Sequence, residues 1–371
     1  MASKTSPSLL LLLCFSFLAF LIPCNCCCKE PEKDDGAKVK GMFVFGSSLV
    51  DNGNNNFIQN ILAKADYLPY GVDFPRGPSG RFTNGKNVID LLGDQLKLPS
   101  YIPPFLDPST KGNKIVNGVN YASGASGILD DTGSLAGNVI SLNQQIREFE
   151  EVTLPDLEKQ LGCNSRDSLP HYLFVVGSGG NDYSLNYFLT RSMTNVTLED
   201  FTVNLTNILS LQLKKLYSLG ARKFVLMSIN PSGCSPMVRA RQPEQKGCVE
   251  EQNKAALLYN AHLTSLVDLI KPQMPASILV FVNTNKMIMD IIANPASKGF
   301  NDTNNACCEV DDGTGTLCRR GGSTCATRST HLYFDGLHPT EAVNVQIAAK
   351  AYASNLTSEV YPINVKQLSL I

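Results

Sequence analysis

The sequence predicts a doubly wound α/β domain built on a largely parallel sheet. Short, continuously apolar runs alternate with longer stretches of helical periodicity, and polar, glycine-rich segments follow three of the runs. Runs apolar throughout suit strands buried on both faces of a parallel sheet. The chain has 371 residues and is 43% hydrophobic with a formal net charge of -1, which supports a large core and argues against disorder.

The strands are expected at MFVF (Met42–Phe45), GVNYA (Gly118–Ala122), YLFVVG (Tyr172–Gly177), KFVLMSI (Lys223–Ile229) and SILVFV (Ser277–Val282). Helices are expected over Asn87–Leu96, Ile140–Val152, Phe201–Gly220, Ala255–Ile270 and Glu341–Leu356. The third places apolar residues at three-and-four spacing and stops at a glycine. No repeat or long linker interrupts the pattern, so residues 41–362 read as one domain. A charged stretch, residues 28–40, reads as a flexible N-terminus, and residues 363–371 as a C-terminal tail.

Upstream of that stretch, Lys4 precedes the apolar run Leu9–Ile22, and no charge occurs from Thr5 to Cys28. A basic residue, an apolar run and a small-residue segment describe a secretory signal peptide. It is expected to span residues 1–27, with cleavage between Cys26 and Cys28. The run is short for a membrane-spanning helix, which needs about 20 apolar residues. The mature protein is therefore expected to be extracellular, without stable membrane insertion. Basic and acidic residues nearly balance, 32 against 33, which gives no reason to expect nucleic acid as a partner.

An oxidising compartment makes disulfides the default for Cys163, Cys234, Cys248, Cys307, Cys308, Cys318 and Cys325. Cys234 and Cys248 suit a local pair. The group from Cys307 to Cys325 lacks paired C-x-x-C spacing and reads as disulfides rather than zinc. Seven is odd, so either one thiol is free or Cys28 survives processing and pairs. Four N-x-S/T sequons, at Asn195, Asn204, Asn301 and Asn355, are expected glycosylation sites.

In open parallel sheets, ligands bind beyond the carboxyl ends of the strands. GSSL (Gly46–Leu49), ASGASG (Ala122–Gly127) and GSGGNDY (Gly177–Tyr183) fall there, and FDGLHPTE (Phe334–Glu341) precedes the last helix. Serine becomes a nucleophile when an imidazole takes its proton and a carboxylate orients the imidazole. His338 suits the base and Asp335, three residues earlier, the orienting group. His171 and His262 suit structural roles, and His331 lacks the D-x-x-H-P context. Donors to an oxyanion are available from the Ser48 N–H, an N–H in the 122–127 loop and the Asn181 amide.

These four blocks, FVFGSSLVDNGNNN, GVNYASGASGIL, GSGGNDY and YFDGLHPTE, resemble in order and spacing those of the plant-type GDSL esterase/lipase family of SGNH hydrolases. GPSGRFTNGKNVIDLLG (Gly77–Gly93) and LGARKFVLMSINPSGC (Leu219–Cys234) are further similar segments, so the likeness spans nearly the whole mature chain. The resemblance implies a flavodoxin-like α/β/α sandwich with a central, mainly parallel five-stranded sheet. It also implies hydrolysis of carboxylic esters, often of lipids, with no metal or cofactor. Residue by residue it places the nucleophile on Ser48, the charge-relay pair on Asp335 and His338, and the oxyanion donors on Ser48, Gly124 and Asn181, with Ala125 as a neighbouring alternative to Gly124.

One position departs from the pattern: Ser47 stands where the family motif has aspartate. Its hydroxyl is expected to support the turn by accepting from a turn N–H. GSGG (Gly177–Gly180) fails the phosphate-binding G-x-G-x-x-G pattern at Asp182. Asn52 to Asn56 read as backbone-satisfying turn residues, and Asp51 as a helix-start cap. The expected activity is that of a secreted serine esterase or lipase. An acyltransferase using the same acyl-enzyme, or a catalytically silent binding protein, are the alternatives.

Overall fold

The computed structural model describes residues 39–193, 195–244, 246–313 and 315–371. The expected signal peptide, the Cys28 alternative and most of the charged stretch lie outside them. Val39 and Lys40, grouped with the flexible N-terminus, are packed: Val39 is buried and the Lys40 N–H donates to the His171 carbonyl at 2.8 Å.

Seven strands occur among the described residues: β1 (Gly41–Gly46), β2 (Tyr172–Gly177), β3 (Lys223–Met227), β4 (Ile278–Val282), β5 (Asp302–Ala306), β6 (His331–Tyr333) and β7 (Val360–Tyr361). A five-stranded sheet runs in the order β1-β2-β3-β4-β7, its first four members parallel and β7 antiparallel. The pair β5–β6 forms a separate small sheet.

The expected second strand, Gly118–Ala122, is a correction: it is not a regular member of the sheet. It runs beside β1 as an irregular parallel partner. Val44 N–H donates to the Val119 carbonyl at 3.0 Å, and Tyr121 N–H to that of Val44 at 2.8 Å. Regular pairing is confined to a bridge between Val44 and Asn120. The chain enters this edge at Gly118, whose φ is 104°, and a Cβ there would lie 1.9 Å from the Met42 carbonyl oxygen. Only glycine fits so close an approach. With this segment counted, the parallel runs take the spatial order second, first, third, fourth, fifth, the flavodoxin-like order. Its switch point lies between β1 and β2.

Alternation along β1 sends Phe43 and Phe45 to one face and Met42 and Val44 to the other, and all four are fully buried. Helices Leu142–Glu148, Leu154–Leu161, Leu198–Leu219 and Glu250–Leu269 cover the Phe43 face. Helices Val88–Gln95, Thr284–Ala293, Glu341–Ala353 and Val365–Leu370 cover the Met42 face. The last of these falls in the stretch read as a tail, yet its Val365 and Leu368 are buried. The Leu198–Leu219 helix starts three residues before Phe201 because Thr197 caps it, accepting from the Asp200 N–H. The expected Ile140–Val152 helix is a helix over Leu142–Glu148 that widens into a π turn over Phe149–Thr153, and a further helix, Leu154–Leu161, follows with Pro155 in its first turn, where no N–H is needed.

Disulfides join Cys234 to Cys248, Cys307 to Cys325 and Cys308 to Cys318, and Cys163 is disulfide-bonded as well. None of these seven thiols is free. His331 approaches Cys307 and Cys325, but both sulfurs are consumed in their disulfide. Among the described residues, no helix is long and apolar enough to cross a membrane.

Candidate active site

β1 delivers the two serines to the switch point. Gly46 has φ 142°, and a Cβ there would lie 2.2 Å from the Gly177 carbonyl oxygen, so the strand end requires glycine. The buried Gln145 side chain grips both polar groups of that residue. Its Oε1 accepts from the Gly46 N–H at 2.7 Å and its Nε2 donates to the Gly46 carbonyl at 2.9 Å. The Ser47 N–H then donates to the Gly177 carbonyl at 3.0 Å, tying the turn to the end of β2. The Ser47 hydroxyl points at that same carbonyl, 3.5 Å away, as a donor. The expectation that it accepts from a turn N–H is corrected: among the described residues no N–H donates to it, and its one contact is as a donor. Among the described residues the Ser48 N–H has no partner.

β6 feeds the segment carrying Asp335 and His338, and the structure brings both to Ser48. His338 Nε2 lies 2.8 Å from Ser48 Oγ. On the other side of the ring, Nδ1 lies 2.8 Å from Asp335 Oδ2 and 3.0 Å from Oδ1. Oδ1 also accepts from the N–H groups of Leu337 at 2.8 Å and His338 at 2.7 Å. Oδ2 accepts from the Tyr70 hydroxyl at 2.6 Å. Asp335 is fully buried, and Phe82 packs beside the imidazole with ring centroids 5.0 Å apart. The other histidines lie elsewhere. His171 is held below its ordinary pKa, first by burial and then by Lys40 and Lys223, while His331 bonds the Thr327 carbonyl and His262 faces Glu199.

Asn181 lines the same cleft, after β2. Its Nδ2 donates to the Ser126 carbonyl at 2.9 Å, which leaves its second amide hydrogen for the cleft. Gly124 lies in the neighbouring loop. Its N–H donates to Asp51 Oδ2 at 3.1 Å. The next peptide differs: Ala125 has φ 69°, and its N–H has no partner among the described residues.

Two buried carboxylates stitch these loops together. Asp51 accepts from Gly53, Asn54 and Gly124 N–H groups, and so does more than cap a turn. Asp182 accepts from Ile128 and Leu129 N–H and from the Thr132 hydroxyl. Burial pushes both up to about 6 against the opposing pull of these hydrogen bonds. The asparagines serve the backbone, as expected: Asn54 Nδ2 bonds the Asn120 and Ala122 carbonyls, and Asn52 Nδ2 that of Ile102. Arg81, which carries no motif signal of its own, makes a buried two-pronged pair with Asp90 at 2.6 and 2.7 Å and ties the Gly77–Gly93 segment to the Asn52 carbonyl in the loop after Ser48.

Beyond Ser48 and His338 the cleft is mostly apolar, walled by Val50, Val88, Met227, Ile288, Tyr333 and Ile347. The arrangement can generate an alkoxide-like serine and receive an acyl group beside it.

Residues 42–351 match the model of the family described as GDSL-like Lipase/Acylhydrolase. The chain belongs to this family. GDSL esterase/lipase At1g29670 of Arabidopsis thaliana is 38% identical over 366 residues, covering 97% of this chain and 96% of its own. GDSL esterase/lipase At1g71250 of the same plant is 41% identical over 351 residues, covering 92% of each chain. This GDSL protein is thus a hydrolase acting on carboxylic esters, with small-molecule esters as its substrates. Its mainly parallel five-stranded sheet agrees with the fold expected of the family.

Proposed function

We propose that this GDSL protein is a secreted serine esterase that cleaves esters of apolar acyl chains through an acyl-enzyme on Ser48. The observation that carries the reading is the unbroken line from Ser48 Oγ through His338 to Asp335, with both links at 2.8 Å, opening on an apolar cleft. His338 Nε2 takes the serine proton as Oγ attacks the ester carbonyl, and Asp335 stabilises the imidazolium through Nδ1–H. The Ser48 N–H and the Asn181 amide, with the Ala125 N–H, stabilise the oxyanion. His338 then gives its proton to the departing alkoxide. In the second half, water loses a proton to His338 as its oxygen attacks the acyl carbonyl; the bond to Ser48 Oγ breaks, Oγ takes the proton back from His338, and the carboxylic acid leaves. The steps need the side chains named and no cofactor.

The cleft wall supports substrates with an apolar acyl part, including lipids and acylated metabolites. The disulfides support an oxidising compartment. Asn195, Asn204, Asn301 and Asn355 are all exposed, as acceptors of glycans must be. The deciding experiment is labelling with a serine-reactive phosphonate, followed by peptide mapping and turnover of nitrophenyl esters of graded acyl length. A label on Ser48, lost together with turnover in a folded Ser48→Ala protein, is expected. Wild-type turnover by that variant removes Ser48 from the reaction, and turnover independent of acyl length removes the apolar cleft from it.

A further inference from the structure

We propose that Tyr70 is a positioning residue, which fixes the Asp335 carboxylate and couples it to the cystine-bound loop around Cys318. The inference rests on the Ser48–His338–Asp335 reading above.

Tyr70 lies 265 positions from Asp335 in sequence, in a loop outside the four blocks that carry the site residues. Its ring is fully buried, with Tyr67, Phe82 and Phe334 around it at centroid distances of 5.3, 6.1 and 5.7 Å. Packing thus leaves the phenol one direction. At its tip the oxygen accepts from the Cys318 N–H at 3.0 Å. A phenol has one hydrogen, and with that donor on its oxygen the hydrogen points to Asp335 Oδ2, 2.6 Å away.

The two carboxylate oxygens are therefore held differently. Oδ1 has two main-chain donors beside the imidazole, whereas Oδ2 has only Tyr70 beside it. Without the hydroxyl, Oδ2 keeps only His338 as a partner, and the carboxylate plane that orients Nδ1 is held from the Oδ1 side alone. Burial and the neighbouring Asp335 also hold the phenol well above its ordinary pKa, so it stays a donor.

The anchor behind Tyr70 is covalent. Cys318 is bonded to Cys308, whose N–H donates to the carbonyl of Phe334, the residue before Asp335, at 2.8 Å. Disulfide, two main-chain hydrogen bonds and the phenol close a ring around the carboxylate. The cystine-bound loop, which touches neither Ser48 nor His338 in the hydrogen bonds above, thereby sets the geometry of the site.

The test is a double-mutant cycle on turnover of a nitrophenyl ester. Tyr70→Phe keeps the ring and deletes the hydroxyl. It is expected to fold, to lower kcat by about tenfold and to leave KM within about twofold, since a hydrogen bond to a charge is lost from the transition state. In an Asp335→Ala background the same change is expected to alter the residual kcat by less than about twofold, because Tyr70 acts only through that carboxylate. Tyr67→Phe removes a hydroxyl bonded to the Cys318 carbonyl at 2.8 Å, away from Asp335, and is expected to keep kcat. Wild-type kcat in folded Tyr70→Phe, or an undiminished tenfold loss in the Asp335→Ala background, overturns the inference. If Tyr70→Phe does not fold, 3-fluorotyrosine at position 70 keeps the packing and strengthens the donor. A kcat that moves there and not with 3-fluorotyrosine at position 67 supports the inference, and one that stays put overturns it. Full activity in Asp335→Ala brings down the underlying reading instead, so the two failures are distinguishable.

Discussion

Asp335→Asn is the substitution whose effect the structure defines most closely, because the two carboxylate oxygens have different partners. Two main-chain N–H groups, at 2.7 and 2.8 Å, face Oδ1 and can be met only by an oxygen. The amide of asparagine is forced to place its oxygen there and its NH₂ at the Oδ2 position, against Tyr70 and His338 Nδ1. An N–H aimed at Nδ1 selects the imidazole tautomer that carries its proton on Nε2. That proton then points at Ser48 Oγ, 2.8 Å away, and the base has become a donor. The same tautomer error in a serine–histidine–aspartate triad lowers kcat by about 10⁴-fold, or about 5 kcal/mol of activation free energy. The fold should survive, with the buried NH₂ facing Tyr70 costing roughly 1–3 kcal/mol of stability. Steady-state hydrolysis of a short nitrophenyl ester, alongside thermal unfolding, measures both. A folded Asp335→Asn protein with kcat within tenfold of wild type refutes the tautomer argument.

Three further outcomes are expected. Asn181→Ala should lower kcat by about 10²–10³-fold with KM little changed, as removal of one oxyanion donor does; a change confined to KM makes Asn181 a binding residue. Ser47→Ala should keep most of its turnover and its phosphonate label on Ser48, because the Ser47 hydroxyl makes only a 3.5 Å contact, at the outer limit of a hydrogen bond; loss of the label with the fold intact contradicts this. Asp182, raised from 3.8 to about 6 by burial, binds its proton more tightly folded than unfolded. Its favourable contribution is complete below pH 3.8 and is lost as pH rises through about 6, so stability relative to Asp182→Asn should fall across that window. Urea midpoints of both proteins at several pH values check this, and a difference that is flat or rises with pH contradicts it.

The parts legible in the sequence are those set by burial and by chain-local geometry. β1 to β4 stand out because both faces are covered, which makes each strand apolar throughout. Asp335 and His338 are readable because they share one turn. The Thr284–Ala293 helix is missing from the expected set although its start is marked, since Asn283 caps it by accepting from the Lys286 N–H; at ten residues, two after β4 ends, it is too short for its periodicity to stand out beside the strand. Gly118–Ala122 has the composition of a strand, but the sequence does not show how near β1 the chain must pass. The Gly124 N–H is bonded to Asp51, 73 residues away, and the Tyr70 hydroxyl to Asp335, 265 away. Periodicity carries no trace of pairs this distant, and neither residue stands in a pattern that marks its partner.

The serine at position 47 fits into the same picture. A turn whose geometry depended on the side chain at 47 would not tolerate exchange of the family aspartate for serine. Here the turn is fixed on both sides by other groups. Gln145 grips the N–H and carbonyl of Gly46, the Ser126 hydroxyl adds a bond to that carbonyl at 3.0 Å, and the Ser47 main chain itself reaches β2. The side chain at 47 contributes only a long contact to the Gly177 carbonyl. The backbone therefore presents Ser48 Oγ to His338 whichever of the two residues precedes it, and the weight of holding Ser48 falls on Gln145, which no serine motif contains.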